Sequence, residues 1–498
     1  MCIHTGFRDV EHDNTIASDP PQRHSHKRSR VPPPGSALGF ADESWTTPAP
    51  RRVATVGLTP DPGGTVADFS IDAKLTEELE WMRAFVEEHV IDIDLAFGGE
   101  ESVYNKQSPL WDDVLRPLQQ QVRDRGLWSC HLTPEFGGQG YGQVKLAYMN
   151  EILGRTTFGP SLFGCQAPDS GNAEIIAHYG TDEQKDQYLQ PLIDGMLSSS
   201  YNMTEPQGGS DPGGFTFSAT RDGEEWVLQG HKWFASSLPY ATFAIVMAIT
   251  DPDVPVYQGS SMFLVPTDTP GIEIVRRTGT GTEPEGHGNH PLVHYDDVRV
   301  PAANLLGPEG KGFEIAQTRL GGGRLHHAMR TVGLAGRCLD MLCERALSRT
   351  TKGKLLGYHQ MTQEKIADTY IELQQFRLQV LHAAWVVDQV GGAAARKEIA
   401  AVKVATPKTL REIVLRTMQL HGALGVSNEM PLSGMLTNSV VMGIADGPTE
   451  VHKQTVAKQV LREYQPASGD WPSEHLPHRR AAAKEQYAAE LERHLASL

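Results

Sequence analysis

The sequence predicts an α+β protein in which a β domain lies between two helical regions. Apolar residues recur every three or four positions from about residue 69 to 200 and again from 309 to 465, which is the spacing of a buried helix face. Between 201 and 308 apolar and polar residues alternate instead, as they do along half-buried strands. We therefore expect an N-terminal α-helical domain, a middle β-barrel or β-sandwich domain and a C-terminal four-helix bundle.

The two ends of the chain lack these patterns. Residues 1–68 are rich in Pro, Ser, Arg, His and Asp, and we interpret them as a disordered or extended segment. A basic cluster at 24–30 allows a targeting role, although acidic residues such as Asp9 and Asp13 are unusual in a transit peptide. Residues 466–498 are Pro-rich and then charged, and we interpret them as a tail that is solvated or docks on another subunit.

The first helical region shows the helical step most clearly at Leu75, Leu79 and Met82. A helix stop at Gly180 is followed by Thr181, which we expect to cap the next helix. Runs typical of strands follow in the middle region, at 215–219, 226–228, 243–249, 261–265 and 272–275. Four long helices are predicted for the C-terminal region, at 315–347, 361–390, 395–420 and 438–461.

Composition excludes several classes of function. The chain has 45 Lys and Arg residues against 61 Asp and Glu, and the net charge of −16 argues against nucleic acid or an anionic membrane as the main partner. No apolar run is long enough to span a bilayer, and no GxGxxG follows a strand as in a dinucleotide-binding domain. The five cysteines lack the spacing of a disulfide framework or a metal site, so we expect reduced thiols, no metal and a cytoplasmic protein.

One candidate for catalysis lies in the stretch 444–452, Ile-Ala-Asp-Gly-Pro-Thr-Glu-Val-His. It places Asp446 at a turn, followed by Gly447 and Pro448, before a run with helical periodicity. A carboxylate that points out of the fold at such a junction and faces a dry pocket can act as a general base. The same residues are also typical of an ordinary helix N-terminus with Pro at its first position.

A second candidate lies at 201–211, where the helical pattern gives way to strands. Thr204, Gly209 and Ser210 would expose backbone N–H groups and hydroxyls, which suit a phosphate or the polar edge of a cofactor. Taken alone, this stretch is equally typical of a polar turn between domains.

The order of these features resembles the acyl-CoA dehydrogenase family over roughly residues 70–465. The residues that carry the resemblance are Thr-Glu-Pro-x-x-Gly-Ser-Asp at 204–211, between helices and strands, and Asp-Gly-Pro at 446–448, before the last helix. Further stretches agree with the family's order: 168–172, 179–181, 230–234, 298–301, 306–313 and 323–327. The stretches 323–327 and 444–452 match best the branch whose vertebrate members act on long or 4-hydroxylated acyl chains.

The resemblance implies a noncovalently bound FAD. Met203 and Thr204 would meet the flavin ring through main chain and hydroxyl, and Gly209 and Ser210 would lie beside the pyrophosphate and the substrate. Trp233 would lie against the isoalloxazine, although a strand tryptophan is as often a core residue.

The resemblance also implies cofactor-binding residues in the bundle: Arg349, Gln419, Gly422, Ala423, Thr449 and Glu450. Arg349 and the 419–423 stretch would reach the FAD of a neighbouring subunit, as in a homodimer or a homotetramer. Thr449 and Glu450 would lie close to the flavin. Without the resemblance, 419–423 would be interpreted as a helix stop and Arg349 as a surface arginine.

The implied reaction is desaturation of an acyl thioester, an acyl-CoA or an acyl-carrier thioester, at Cα–Cβ. Asp446 would remove the α-proton, the β-hydrogen would leave as a hydride to flavin N5, and electrons would pass to an electron-transfer flavoprotein. A backbone N–H of Gly447 or Asp446 would stabilise the developing enolate oxygen. Arg324 would lie near the base and orient it, unless it merely pairs with a surface acid.

Two departures from the family pattern leave alternatives open. The family's Trp-Ile-Thr, whose Thr hydroxyl bonds flavin N5, stands here as Trp233-Phe234-Ala235, so Ser236 or a main-chain N–H would have to substitute. The aromatic residue three positions after Arg349 is replaced by Lys352. An oxidase or monooxygenase of the same fold is therefore one alternative. A helical assembly protein that has lost FAD is the other.

Overall fold

The computed structural model describes residues 67–98, 100–281, 283–464 and 470–498. The interpretation of residues 1–66 as disordered or extended, with their basic cluster, concerns a part of the chain outside the described residues. Described residues form three successive regions, helical, mainly β and helical, which confirms the predicted fold class.

The first region is helical throughout. Its apolar periodicity buries Leu75, Leu79 and Met82 on one face of the first helix, and the Asp72 carboxylate caps that helix by accepting from the Leu75 N–H at 2.7 Å. Thr181 forms the predicted cap with Gln184. The helices are α1 (Ala73–Phe85), α2 (Ile91–Phe97), α3 (Glu100–Tyr104), α4 (Arg116–Asp124), α5 (Gln143–Leu153), α6 (Gly159–Leu162), α7 (Asp169–Tyr179), α8 (Asp182–Gln184) and α9 (Gln190–Ile193).

The middle region is one eight-stranded sheet with a short α-helix. Its strands are β1 (Ser199–Asn202), β2 (Ser218–Asp222), β3 (Glu225–Lys232), β4 (Phe243–Ile249), β5 (Ser260–Pro266), β6 (Ile272–Arg276), β7 (Leu292–Pro301) and β8 (Leu305–Leu306), and its helix is α10 (Val256–Gly259). The sheet order is β6-β7-β3-β2-β4-β5-β8, and β1 adds a parallel pairing to β4.

Side chains of β4 alternate between two cores, so both faces of this strand are buried. Phe243 and Ile245 pack with the first helical region, whereas Ala244 and Val246 pack inside the curl of the sheet. The strand predicted at 215–219 begins only at 218, because the Phe217 N–H binds a carboxylate instead of a neighbouring strand.

The last region contains a short hairpin, a helical bundle and a tail. The hairpin strands are β9 (Thr350–Thr351) and β10 (Lys354–Leu355), and the bundle helices are α11 (Gly312–Ser348), α12 (Gln360–Val390), α13 (Arg396–His421), α14 (Leu432–Val441) and α15 (Thr449–Leu461). The tail helices α16 (Leu476–Gln486) and α17 (Ala488–Ala496) bury no side chain. Within the described residues, no helix combines the length and apolar character that crossing a bilayer requires.

The single helix predicted at 438–461 is wrong. Apolar residues continue through the interval, but the chain leaves the helix after Val441 and forms a turn that ends at Pro448. Pro448 lacks the N–H that a continuous helix needs, and Gly447 adopts a positive φ of 101°.

Helix α11 joins the three regions. Its first turns pack with the sheet and α7 through Ile315 and Ala316, and its middle packs with the first helical region and the bundle through Leu325 and Met329. The segment around residue 323 therefore lies where the helical, β and bundle regions meet.

Candidate active site

Asp446 lies in the turn between α14 and α15, with its backbone in a left-handed conformation at φ 56°. The turn is closed by the Gly443 carbonyl, which accepts from the Thr449 N–H at 2.9 Å and from the Thr449 hydroxyl at 3.2 Å. A left-handed aspartate is uncommon and sterically costly, so the surrounding contacts must hold it there.

Those contacts act on the main chain of Asp446. Its carbonyl oxygen accepts from Arg324 Nε at 2.8 Å and lies 3.2 Å from His452 Nε2, which therefore carries the ring proton. Gly447 is required beside this contact, because a Cβ there would come within 2.9 Å of His452 Nε2. Arg324 thus lies near Asp446, as predicted, and holds its backbone.

The carboxylate of Asp446 faces α11. Its Oδ2 lies 3.6 Å from His327 Nε2, and the side chain is 17% exposed. The same oxygen would lie 3.1 Å from a Cβ at Gly323. The acid therefore sits against a glycine, in a half-sheltered position open to a small ligand.

Three successive glycines form this part of α11, a costly choice in the middle of a helix. A Cβ at Gly321 would meet nothing within 4 Å, whereas one at Gly322 would meet the Glu174 carboxyl, with Oε2 at 3.1 Å. At Gly323 the only such neighbour is Asp446 Oδ2. We call 321–323 the glycine floor: an open stretch of helix surface bordered by two carboxylates.

The charged groups around Asp446 are largely buried. Burial lowers the pKa of His327 to about 4, so its ring is neutral at pH 7 beside the acid. Burial also lowers the pKa of His452 to about 4, with Arg324 adding to the effect. Lys403 on α13 donates to the Met442 carbonyl, and burial lowers its pKa to about 8 while Asp446 opposes the shift.

Tyr201, near the end of β1, is half-buried and interacts electrostatically with Asp446. Burial raises the pKa of Tyr201, and the nearby charge of Asp446 adds to the rise. The Arg319 guanidinium lies 4.0 Å from the centre of the Tyr201 ring and donates to Asn172 Oδ1 at 2.8 Å. Burial raises the pKa of Glu174 to about 7, and Arg319 opposes this rise.

The loop after Tyr201 contains four predicted cofactor-binding residues. The Thr204 carbonyl accepts from the Trp233 N–H at 2.9 Å, which joins this loop to the end of β3. The N–H groups of Thr204, Gly209 and Ser210 form no hydrogen bond with any described residue. Gly209 and Ser210 are exposed, and Met203 is half-buried beside the Tyr201 hydroxyl.

Trp233 is already engaged within the protein. Its Nε1 donates to Thr278 Oγ1 at 3.1 Å, and Arg276 lies 4.8 Å from its ring centre. Phe234 stacks on it at 5.1 Å, is 48% exposed and has a positive φ of 55°. Phe234 therefore presents the aromatic surface that is free for a ligand.

The two residues after Phe234 differ in access. Ala235 is fully buried, so its side chain offers no surface to a ligand. Ser236 is half-buried, and its hydroxyl lies 2.7 Å from His290 Nδ1. Of these two residues, Ser236 has the polar group that can reach a ligand.

The predicted residues of the bundle fall into two groups. Thr449 and Glu450 start α15, three and four positions after Asp446. Arg349 is exposed and directly follows α11, 25 positions beyond Arg324, or about 37 Å along a helix axis at 1.5 Å per residue. Gln419, Gly422 and Ala423 are exposed at the far end of α13. The fold thus leaves Arg349 and 419–423 remote from Asp446 of the same chain.

Several residues of the site were not predicted from the sequence. Glu174 and Lys403 are charged residues in helices, which ordinarily face water, and their burial follows only from tertiary packing. The roles of His327 and His452 were likewise not foreseen, although both stand in stretches that resemble the family. The signal that could have been used is the glycine run itself, since three adjacent glycines inside a predicted helix imply a close approach.

This arrangement defines a class of protein: three domains, helical, β and helical, that meet at a half-sheltered carboxylate above an open helix surface. Family models agree along the chain, matching the acyl-CoA dehydrogenase N-terminal domain at residues 74–196, the middle domain at 200–296 and the C-terminal domain at 310–461. The chain belongs to the acyl-CoA dehydrogenase family, which confirms the resemblance noted in the sequence.

Two curated relatives show the extent of the match. The chain is 37% identical over 398 residues to the protein named probable acyl-CoA dehydrogenase FadE2 of Mycobacterium tuberculosis, covering 79% of this chain and 97% of that one. It is 40% identical over 394 residues to acyl-CoA dehydrogenase family member 11 of Rattus norvegicus, covering 78% of this chain and 50% of that one. Against relatives of the latter kind, the chain spans about half of their length.

Solved structures agree with the fold. A protein described as an acyl-CoA dehydrogenase from Mycobacterium abscessus is 38% identical, with a TM-score of 0.73, over 80% of this chain and 100% of that one. The FAD complex of PigA is 24% identical, with a TM-score of 0.67, over 80% of this chain and 100% of that one. At that level of identity the second likeness concerns the fold alone.

Proposed function

We propose that the protein is an FAD-dependent oxidoreductase that desaturates an acyl thioester, an acyl-CoA or an acyl-carrier thioester, at Cα–Cβ. Membership of the acyl-CoA dehydrogenase family supports the general class. The single observation that carries the finer proposal is the position of Asp446, whose main chain is held by Arg324 while its carboxylate faces the glycine floor.

The loop that follows β1 fits FAD. Its Thr204, Gly209 and Ser210 N–H groups have no partner among the described residues, and such amides suit flavin oxygens and phosphates. Phe234 supplies an exposed aromatic face beside this loop. Trp233 and Ser236 lie close to Phe234 in the sequence. The FAD complex of PigA is an example of this fold with the same cofactor. When bound, FAD would supply the acceptor for the hydride that leaves Cβ.

Asp446 would remove the α-proton of the thioester. Its Oδ2 lies 3.6 Å from His327, and the positive charges of Arg324 and Lys403 interact with it. The partly sheltered position also limits the access of water to the carboxylate. A positioned base of this kind contributes about 10² to 10⁴ in rate.

The turn that contains Asp446 would also stabilise the negative charge on the thioester oxygen. Neither the Asp446 N–H nor the Gly447 N–H is bonded to a described residue. Backbone N–H donors in a rigid turn are already oriented, so reorganising them costs little free energy when charge develops on the substrate. Arg324 and His452 fix the turn, so we assign them a positioning role.

We also propose a homodimer or homotetramer in which Arg349, Gln419, Gly422 and Ala423 reach the FAD of a neighbouring subunit. Their exposure and their distance from Asp446 of the same chain support this arrangement. An electron-transfer flavoprotein as the electron acceptor and a cytoplasmic location complete the proposal.

The test is anaerobic mixing of the yellow protein with a panel of acyl thioesters, followed by admission of air. We expect the flavin absorbance to bleach with at least one thioester and to return only slowly in air. Prompt return with formation of peroxide would indicate an oxidase of the same fold. A colourless preparation that does not take up FAD would contradict the proposed function.

A further inference from the structure

A buried ion pair lies beneath the loop that contains Met203 and Thr204. Lys232 Nζ is 2.9 Å from Glu205 Oε1, and the two side chains are 0% and 2% exposed. Lys232 Nζ also donates to the Met203 carbonyl at 3.0 Å, and its ammonium lies 4.5 Å from the centre of the Phe217 ring. The last residue of β3 is thus joined to the loop after β1 at two points.

Glu205 is bonded on its other side as well. Its Oε2 accepts from the Thr216 N–H at 2.7 Å and from the Phe217 N–H at 3.1 Å. The main chain of Glu205 exchanges two hydrogen bonds of 3.1 Å with Gly208, which closes the loop. The carboxylate therefore replaces a missing strand partner for 216–217 and fixes the loop to the sheet.

Such a pair is a poor way to gain stability alone. Removing two charges from water costs several kcal/mol each, and well-packed apolar residues often serve the fold equally well. The pKa of Lys232 is lowered to about 8 by burial, which shows the cost that Glu205 offsets. A role beyond folding would explain the pair.

Lys232 of this pair fixes the orientation of the peptide group between Met203 and Thr204. In a trans peptide the C=O and the following N–H point in opposite directions. Because the Met203 carbonyl points to Lys232, the Thr204 N–H points away from the buried pair, and it has no partner among the described residues. The Thr204 carbonyl is fixed in turn by the Trp233 N–H at 2.9 Å.

We propose that the Lys232–Glu205 pair is a positioning device for the flavin. It holds the peptide between Met203 and Thr204 so that the Thr204 N–H is presented to the ring. A fixed donor at the ring favours the electron-rich reduced form, since added charge on the ring accepts a stronger hydrogen bond. The pair therefore sets both the affinity for FAD and the reduction potential. This inference rests on FAD binding in the proposed function and needs no acyl substrate.

The test compares the double variant Lys232→Met/Glu205→Gln with the wild type. The double variant keeps side-chain volume and an acceptor oxygen for the Thr216 and Phe217 amides, but it releases the Met203 carbonyl. We expect the dissociation constant for FAD to rise about tenfold, which corresponds to the loss of one hydrogen bond. We also expect the midpoint potential to become more negative. Glu205→Gln alone is the second variant, with a smaller shift in the same direction, should the double variant fail to fold.

Lys106→Met provides a matched control. Lys106 Nζ also pairs with a carboxylate, Asp169 at 2.9 Å, and donates to the Leu197 carbonyl at 2.9 Å, but neither contact involves a residue of the loop after β1. We expect this variant to unfold at a lower temperature with unchanged FAD affinity and potential. Wild-type FAD affinity and midpoint potential in both the double variant and Glu205→Gln, with only a lower unfolding temperature, would overturn the inference. A wild-type protein that binds FAD but reacts with no thioester would overturn only the proposed function.

Discussion

Arg324 Nε donates to the main-chain carbonyl of Asp446 at 2.8 Å, and no described hydrogen bond joins its guanidinium to the carboxylate. This geometry separates two tasks that a salt bridge would combine. The arginine holds the left-handed turn in place, and the carboxylate stays available for a proton. Burial lowers the pKa of Arg324, while Asp446 opposes the shift, so the contact is made in a sheltered environment.

Replacement of the guanidinium should therefore impair positioning. For Arg324→Gln we expect kcat for thioester oxidation to fall by about 10- to 100-fold, the equivalent of one charge-assisted hydrogen bond, with little change in KM. FAD content should remain that of the wild type. Steady-state kinetics with a dye that accepts electrons from the reduced flavin would measure kcat and KM. A rise in KM alone would instead place Arg324 in substrate binding.

Activity should be sensitive to an alanine at Gly323 of the glycine floor and should tolerate one at Gly321. For Gly323→Ala we expect a substantial loss of thioester oxidation, because the new methyl would lie 3.1 Å from Asp446 Oδ2 and displace the acid. Gly321→Ala is the control, since its methyl would meet nothing within 4 Å. Both variants should gain roughly 0.5 to 1 kcal/mol of unfolding free energy from helix propensity. Equal activity in the two would contradict the assigned position of Asp446.

Stability should depend on pH through Glu174. Burial raises its folded pKa to about 7, so between pH 4.5 and 7 the folded chain holds a proton that the unfolded chain releases. Its contribution is therefore fully present below about pH 4.5 and is lost as the pH rises through 7. For Glu174→Gln we expect higher stability than the wild type at pH 8, by at most about 3 kcal/mol, and little difference at pH 4.5.

Chemical denaturation at both pH values would measure this effect. Glu88→Gln serves as the control, because Glu88 is exposed and its replacement should change stability little at either pH. A Glu174→Gln variant that is less stable than the wild type at pH 8 would show that the carboxylate is charged and well paired in the fold.

Local patterns in the sequence were enough for the order of the three domains and for the position of Asp446 in a turn. Helical and strand periodicity arise from burial of one face, which each segment encodes by itself, and Asp-Gly-Pro marks a turn before a helix. The helix predicted at 438–461 nevertheless ran through this turn, because apolar residues such as Val440 and Ile444 occur on both sides of the helix end at Val441. Both of these side chains are exposed, so their apolar character does not reflect core packing.

The surroundings of Asp446 could not be predicted in the same way. Lys403 stands 43 positions before Asp446, and Glu174 faces a glycine almost 150 positions further along the chain. Their burial depends on how α7, α11 and α13 meet, which no local spacing records. Phe234 was not singled out because the neighbouring Trp233 fitted the family pattern. The structure shows the Trp233 indole bonded to Thr278 and the Phe234 ring exposed.

The central claim is that the Asp446 carboxylate removes the α-proton of an acyl thioester, and Asp446→Asn tests it most directly. The amide keeps the size of the side chain and leaves the Arg324 contact to the main chain intact. With an acyl thioester that reduces the wild-type flavin anaerobically, we expect the rate of bleaching to fall by at least about 10² while FAD stays bound. Bleaching of the Asn variant at the wild-type rate would contradict the account.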